Sequence, residues 1–111
     1  MRWYVIDELE TEAAERLTAR LREMELEGSI DGLYWLPLPA ALLSAVQREH
    51  DQSCGPHVMA LEVEEHSLRL ELLVRARSRL RCDCVHYASP ALVTHMIEYL
   101  EQLLTDLSIT S

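Results

Sequence analysis

At 111 residues the chain has room for one hydrophobic core and not for two, so residues 1–111 read as a single globular domain. Apolar residues at 49% exclude a disordered chain, and no apolar run approaches the ~18–20 residues that span a bilayer. A formal net charge of −9 argues against nucleic acid and anionic membranes as partners, because affinity for both comes largely from neutralising phosphate.

Arg2 to Ile6 is rich in aromatic and β-branched residues and predicts a short strand. Asp7 is placed to cap a helix, with Glu10 three residues on as a capping box requires. Ala14, Leu17, Leu21 and Met24 recur at helical spacing between charged positions, which predicts an amphipathic helix that stops at Gly28. Asp31-Gly32 is a turn signal, and Leu33 to Leu36 a second short strand ended by Pro37 and Pro39. Pro39 can open a helix that runs to about His50 with Leu42, Leu43 and Val46 inward, before Gly55-Pro56 breaks the chain.

Two runs then alternate with period two, the mark of half-buried strands. In the first, Met59, Leu61 and Val63 oppose Glu62 and Glu64. In the second, Leu68, Leu70, Leu72 and Val74 oppose Arg69, Glu71 and Arg75. Glu64 to Ser67 forms the hairpin loop between them, and Leu80 to Tyr87 is expected to add a third strand. Ser89-Pro90 is a strong helix start, followed by the stripe Leu92, Met96, Tyr99, Leu100, Leu103 and Leu107. The predicted class is α+β: a small, largely antiparallel sheet of about 3–5 strands, with two longer helices and one short helix on one face.

The three cysteines, Cys54, Cys82 and Cys84, are too few and too odd in number for a disulfide framework. With no apolar leader at the N-terminus, they fit a reducing, cytoplasmic compartment. They lie near three histidines, His50, His57 and His86, and thiolates with imidazoles are the usual ligands of zinc. On an extended strand Cys82, Cys84 and His86 would share a face. If the two segments meet, four ligands can be drawn from these six residues, and Cys54, His57, Cys82 and Cys84 are the expected set, with zinc the expected metal. Packing is the stronger reading of these cysteines, because cysteine is among the most buried residue types and Cys-x-Cys is not the usual zinc-knuckle spacing. Cys54 with His50 or His57 also has the composition of a nucleophile and base, but no acyl-transfer signature surrounds it.

Arg69, Arg75, Arg77, Arg79 and Arg81 are half of the ten arginines, in a chain with no lysine. Their shared parity would line them up on one strand face, as a binding stripe for a small anion or an acidic partner, or simply as a solvated face that keeps an edge from sticking. Tyr34 and Trp35 are candidate interface residues, since both residue types are favoured at contacts, or the wall of a ligand pocket, with plain core packing the favoured reading of large aromatics. No phosphate loop, nucleophile elbow or His-Glu-x-x-His motif is present. The leading expectation is therefore a non-enzymatic, self-associating interaction or regulatory module, a homo-oligomer or the partner of another protein. The alternative is a metal- or small-anion-binding domain.

Overall fold

The computed structural model describes residues 2–109. In chain order the elements are β1 (Trp3–Ile6), α1 (Thr11–Glu23), β2 (Leu33–Pro37), a 3-10 turn (Ala40–Leu42), α2 (Ala45–Glu49), α3 (Asp51–Cys54), β3 (His57–Val63), β4 (Leu68–Glu71), β5 (Leu73–Ala76), β6 (His86–Tyr87) and α4 (Pro90–Asp106). The α+β class is as predicted, with six strands among the described residues rather than 3–5. Every strand pairing is antiparallel. No helix among the described residues is long and apolar enough to cross a membrane.

β3 is the centre of the sheet. β2 pairs along one edge of it, with Tyr34 opposite Leu61 and Leu36 opposite Met59. β4 and then β5 pair along the other, and each carries a flanking strand, β1 beside β4 and β6 beside β5. Residues 71–74 occupy the span that 59–60 occupy on β3, an excess of two residues. There Leu72 leaves β3, donating to Arg2 O and accepting from the Ala88 N–H. An offset of two preserves side-chain parity, so Leu68, Leu70 and Val74 stay on the inner face as their alternation predicts.

That inner face forms one core with Leu17 and Leu21 of α1 and Leu92, Met96, Leu100 and Leu104 of α4. Burying each such leucine contributes roughly 1.5–3 kcal/mol. The apolar stripe of α4 is thus largely used within the fold. Ser89 caps α4 by accepting from the Leu92 N–H, with Pro90 as the first helical residue. The outer face carries no long helix. Trp35 stands there opposite Ala60, Val5 opposite Arg69, and Arg69 pairs with Glu62 at 3.2 Å while covering the Trp3 ring.

Several local expectations are corrected. α1 begins at Thr11 with Glu10 as its cap residue, not at an Asp7 capping box, because Glu8 takes a left-handed backbone that a helix cannot include. It ends at Glu23, before Gly28, where Glu25 is again left-handed. The helix expected from Pro39 to His50 is divided: Leu43 is extended, and α2 starts afresh from Ser44. The strand expected over Leu80–Tyr87 exists only at His86–Tyr87. The Asp31-Gly32 turn forms, with Gly32 at φ 83°, and a Cβ there would stand 2.9 Å from Val63 O.

Candidate metal centre

Two short segments converge at the start of β3. The first is α2–α3. Ser44 accepts from the Gln47 N–H, and Gln47 Oε1 accepts from the Ser44 N–H, a complete capping box that fixes where α2 begins. His50 ends α2 and precedes α3, and the Cys54 N–H donates to His50 O at 2.7 Å. Four residues of helical chain thereby set the His50 and Cys54 side chains on one side. Gly55 follows because the backbone of α3 passes so close that a Cβ would lie 2.5 Å from Asp51 O.

The second segment is the loop from Arg77 to Val85. Its start extends the β3–β5 register by one rung, Arg77 N–H to Pro56 O, and the Ser78 N–H donates to Cys54 O, before the Arg79 N–H turns back to Ala76 O and the strand ends. The chain then folds tightly, with the Val85 N–H donating to Cys82 O. Cys82 and Cys84 therefore sit on a turn, and a turn rather than strand alternation aims both thiols at α3. Only Cys54, Ala76 and Cys84 form the buried apolar cluster under this loop, with Cys82 and Val85 packed against it. Polar ties do the remaining holding. Gln47, 1% exposed, donates from Nε2 to Cys84 O at 3.1 Å, and Ser44 Oγ lies 3.0 Å from His86 Nε2.

The result is a compact donor set. Ligand atoms of His50, Cys54, Cys82 and Cys84 all lie within 4.8 Å of one another. Cys54 Sγ is 3.8 Å from Cys82 Sγ, and His50 Nδ1 is 3.1 Å from Cys82 Sγ and 3.9 Å from Cys54 Sγ. A tetrahedral zinc with ordinary bond lengths sets two thiolates about 3.8 Å apart, and a thiolate and an imidazole nitrogen about 3.5 Å apart. The Cys54–Cys82 spacing matches, and the two nitrogen spacings straddle the target. Three thiols and one imidazole can thus hold a metal ion such as zinc, and they form one of the standard closed structural donor sets.

The thiols are electrostatically coupled. Hydrogen bonds from Cys84, backbone first and side chain second, hold Cys82 down at about 6, with His50 and Cys54 adding to them. Burial first, then its contacts with Cys82 and Cys54, pushes Cys84 up to about 12. One thiolate forms readily and its charge opposes the next. A bound dication reverses that opposition.

Of the ligand set expected from sequence, Cys54, Cys82 and Cys84 are brought together and His57 is not among the four converging donors; His50 is. His57 is buried at the start of β3, 3.9 Å from Asp51 Oδ1, and lines a separate cavity of about 270 Å³ with Asp51, Pro56 and Trp35. Burial lowers its pKa first, with Asp51 opposing. The arginines do not form one stripe. Arg69 and Arg75 stand on strands and pair with Glu62 and Glu71, while Arg77, Arg79 and Arg81 lie on the loop. Strand alternation also separates Tyr34, 2% exposed in the core, from Trp35 on the outer face. Gln47 and Ser44, which tie α2 to Cys84 and His86, are overlooked when reading for ligands, yet Ser44-x-x-Gln47 is a legible capping box. No family model matches the chain, and no curated protein or solved structure matches it.

Proposed function

We propose that this protein is a zinc-stapled, non-enzymatic binding module whose Cys₃His centre clasps the Arg77–Val85 loop to α2–α3. The observation that carries the reading is the convergence of four donors from two chain segments, all within 4.8 Å of one another. Four protein ligands complete a tetrahedron and leave no position for an activated water, which favours a structural site over a catalytic one. The small apolar cluster under the loop supports the same reading: three buried residues supply little hydrophobic hold, and a structural zinc contributes folding free energy directly.

The test is metal analysis of the untagged protein, purified without chelator, together with cobalt substitution. About one zinc per chain is expected. Cobalt should give the intense sulfur-to-metal charge-transfer band of a tetrahedral thiolate site. Cys82→Ser and Cys84→Ser should each lose that band. A metal-free chain with three freely titrating thiols, taking up neither ion when supplied, would overturn the reading.

Self-association accompanies this proposal as its partner reading. It is favoured by apolar side chains on the outer side of the sheet, Val5 of β1 at 46% exposed, half-buried Trp3 on the same strand, and half-buried Trp35 on β2. A light-scattering mass of one chain at micromolar concentration would remove it.

A further inference from the structure

We propose that the hollow between Trp35 and the Arg77–Val85 loop binds a small organic anion, a carboxylate or phosphate carried on an apolar body. The hollow has a volume of about 250 Å³, and its walls include Trp35, Arg75, Arg77, Arg79, Leu80 and Val85. Ligand pockets generally run from about 300 Å³ upward, so this one suits roughly a single ring with one head group.

Three arginines and Ser29 are its polar lining residues, in a chain of net charge −9. The arginines are not equivalent. Arg75 is committed to Glu71 through two hydrogen bonds, at 2.5 and 3.0 Å. Arg77 and Arg79 have no carboxylate partner among the described residues. Arg77 instead leans over the Trp35 ring, 5.8 Å from its centre. Planar forks with unpaired N–H groups suit the oxygens of a carboxylate or phosphate.

The remaining wall is apolar. Leu80 is 90% exposed, the most exposed of the large hydrophobic side chains, and it stands beside the two unpaired arginines. Trp35, Ala76 and Val85 supply the rest. An inorganic ion would leave that surface wet, whereas an aromatic or aliphatic body would cover it. The turn carrying Arg77 is tied down by Pro56 O and Cys54 O, so the arginines have a fixed base. The inference rests on the zinc reading only for the stiffness of the loop on its far side, Leu80 to Val85.

The experiment is calorimetric titration of the full chain, zinc content measured on the same sample, with phenyl phosphate, benzoate and inorganic phosphate. Phenyl phosphate or benzoate should bind with a Kd on the order of 0.1–1 mM, and inorganic phosphate at least about tenfold more weakly. The tighter of the two organic anions identifies the head group. Arg77→Gln with Arg79→Gln should weaken organic-anion binding by about tenfold or more. Both positions are exposed, so the double variant keeps its fold, checked by its urea midpoint. Leu80→Ser should weaken the organic anions and leave inorganic phosphate unchanged. A zinc-loaded chain with no saturable binding, or a double variant that binds as the parent does, would overturn the pocket. So would inorganic phosphate binding as tightly as the organic anions. Binding by a chain that takes up no zinc would support the pocket and overturn the zinc reading alone.

Discussion

Gln47→Leu tests the argument that polar ties, not apolar packing, set the metal loop. The side chain is fully buried and bridges two segments, accepting from the Ser44 N–H at 2.9 Å and donating to Cys84 O at 3.1 Å. Leucine keeps most of the volume and removes both bonds, so the cost comes from unpaired groups rather than from a cavity. Leaving buried Cys84 O without its donor costs about 1–3 kcal/mol, and losing half of the capping box about 0.5–1 kcal/mol more. A loss of about 2–3 kcal/mol is expected in urea unfolding at constant m, a large part of the ~5–15 kcal/mol typical of a domain. Because Cys84 is one of the four proposed ligands, zinc affinity should also fall, by about 10- to 100-fold in a competition assay against a chromophoric chelator. A stability change under ~0.5 kcal/mol with unchanged zinc affinity would refute the reasoning, since such a value is typical of an inconsequential surface site.

The remaining predictions concern separate elements. Gly55→Ala places a methyl against Asp51 O and should destabilise the protein and lower zinc affinity together, because α3 must shift to admit it; an unchanged unfolding midpoint would contradict this. Tyr4 donates to Glu101 of α4, and that bond, with burial second, raises its pKa from 10.0 to about 12. The folded value lies above the unfolded one, so the contribution is fully present below pH 10 and is lost as pH rises to about 12. Tyr4→Phe should therefore be less stable than the parent below pH 10, the two curves converging towards pH 12, as followed by urea unfolding across that range. His57 is buried with a lowered pKa, so its neutral form supports the fold above pH 6.5 and that support fades as pH falls below it. His57→Leu should flatten the stability curve below pH 6.5 without reducing zinc content; loss of zinc would place His57 at the metal after all.

Local pattern carried much of the architecture. The alternation through Leu68, Leu70 and Val74 identified the inner face, and Ser89-Pro90 with Leu92, Met96 and Leu100 located α4 and its buried side. These signals are legible because period and capping depend on neighbours in sequence. Alternation misled where the chain turns on itself. The Arg79 N–H donates to Ala76 O and the Val85 N–H to Cys82 O, so the expected third strand became a loop and the arginine stripe dispersed.

The candidate metal centre divides along the same line. Composition and proximity in sequence were enough to nominate three cysteines and three histidines as ligands of a metal such as zinc, since thiol and imidazole are the chemistry such an ion selects. Which histidine joins them was a tertiary decision. His57 is one residue nearer to Cys54 in the sequence than His50 is, but α3 sets His50 beside that thiol, whereas His57 belongs to β3 and lies outside the donor set. The chain alone determined the class of fold, the faces of its elements and the inventory of ligands, because each depends on local chemistry. The ligand set and the arginine-lined hollow were decided only by tertiary structure, because each depends on how α2–α3 and the Arg77–Val85 loop meet.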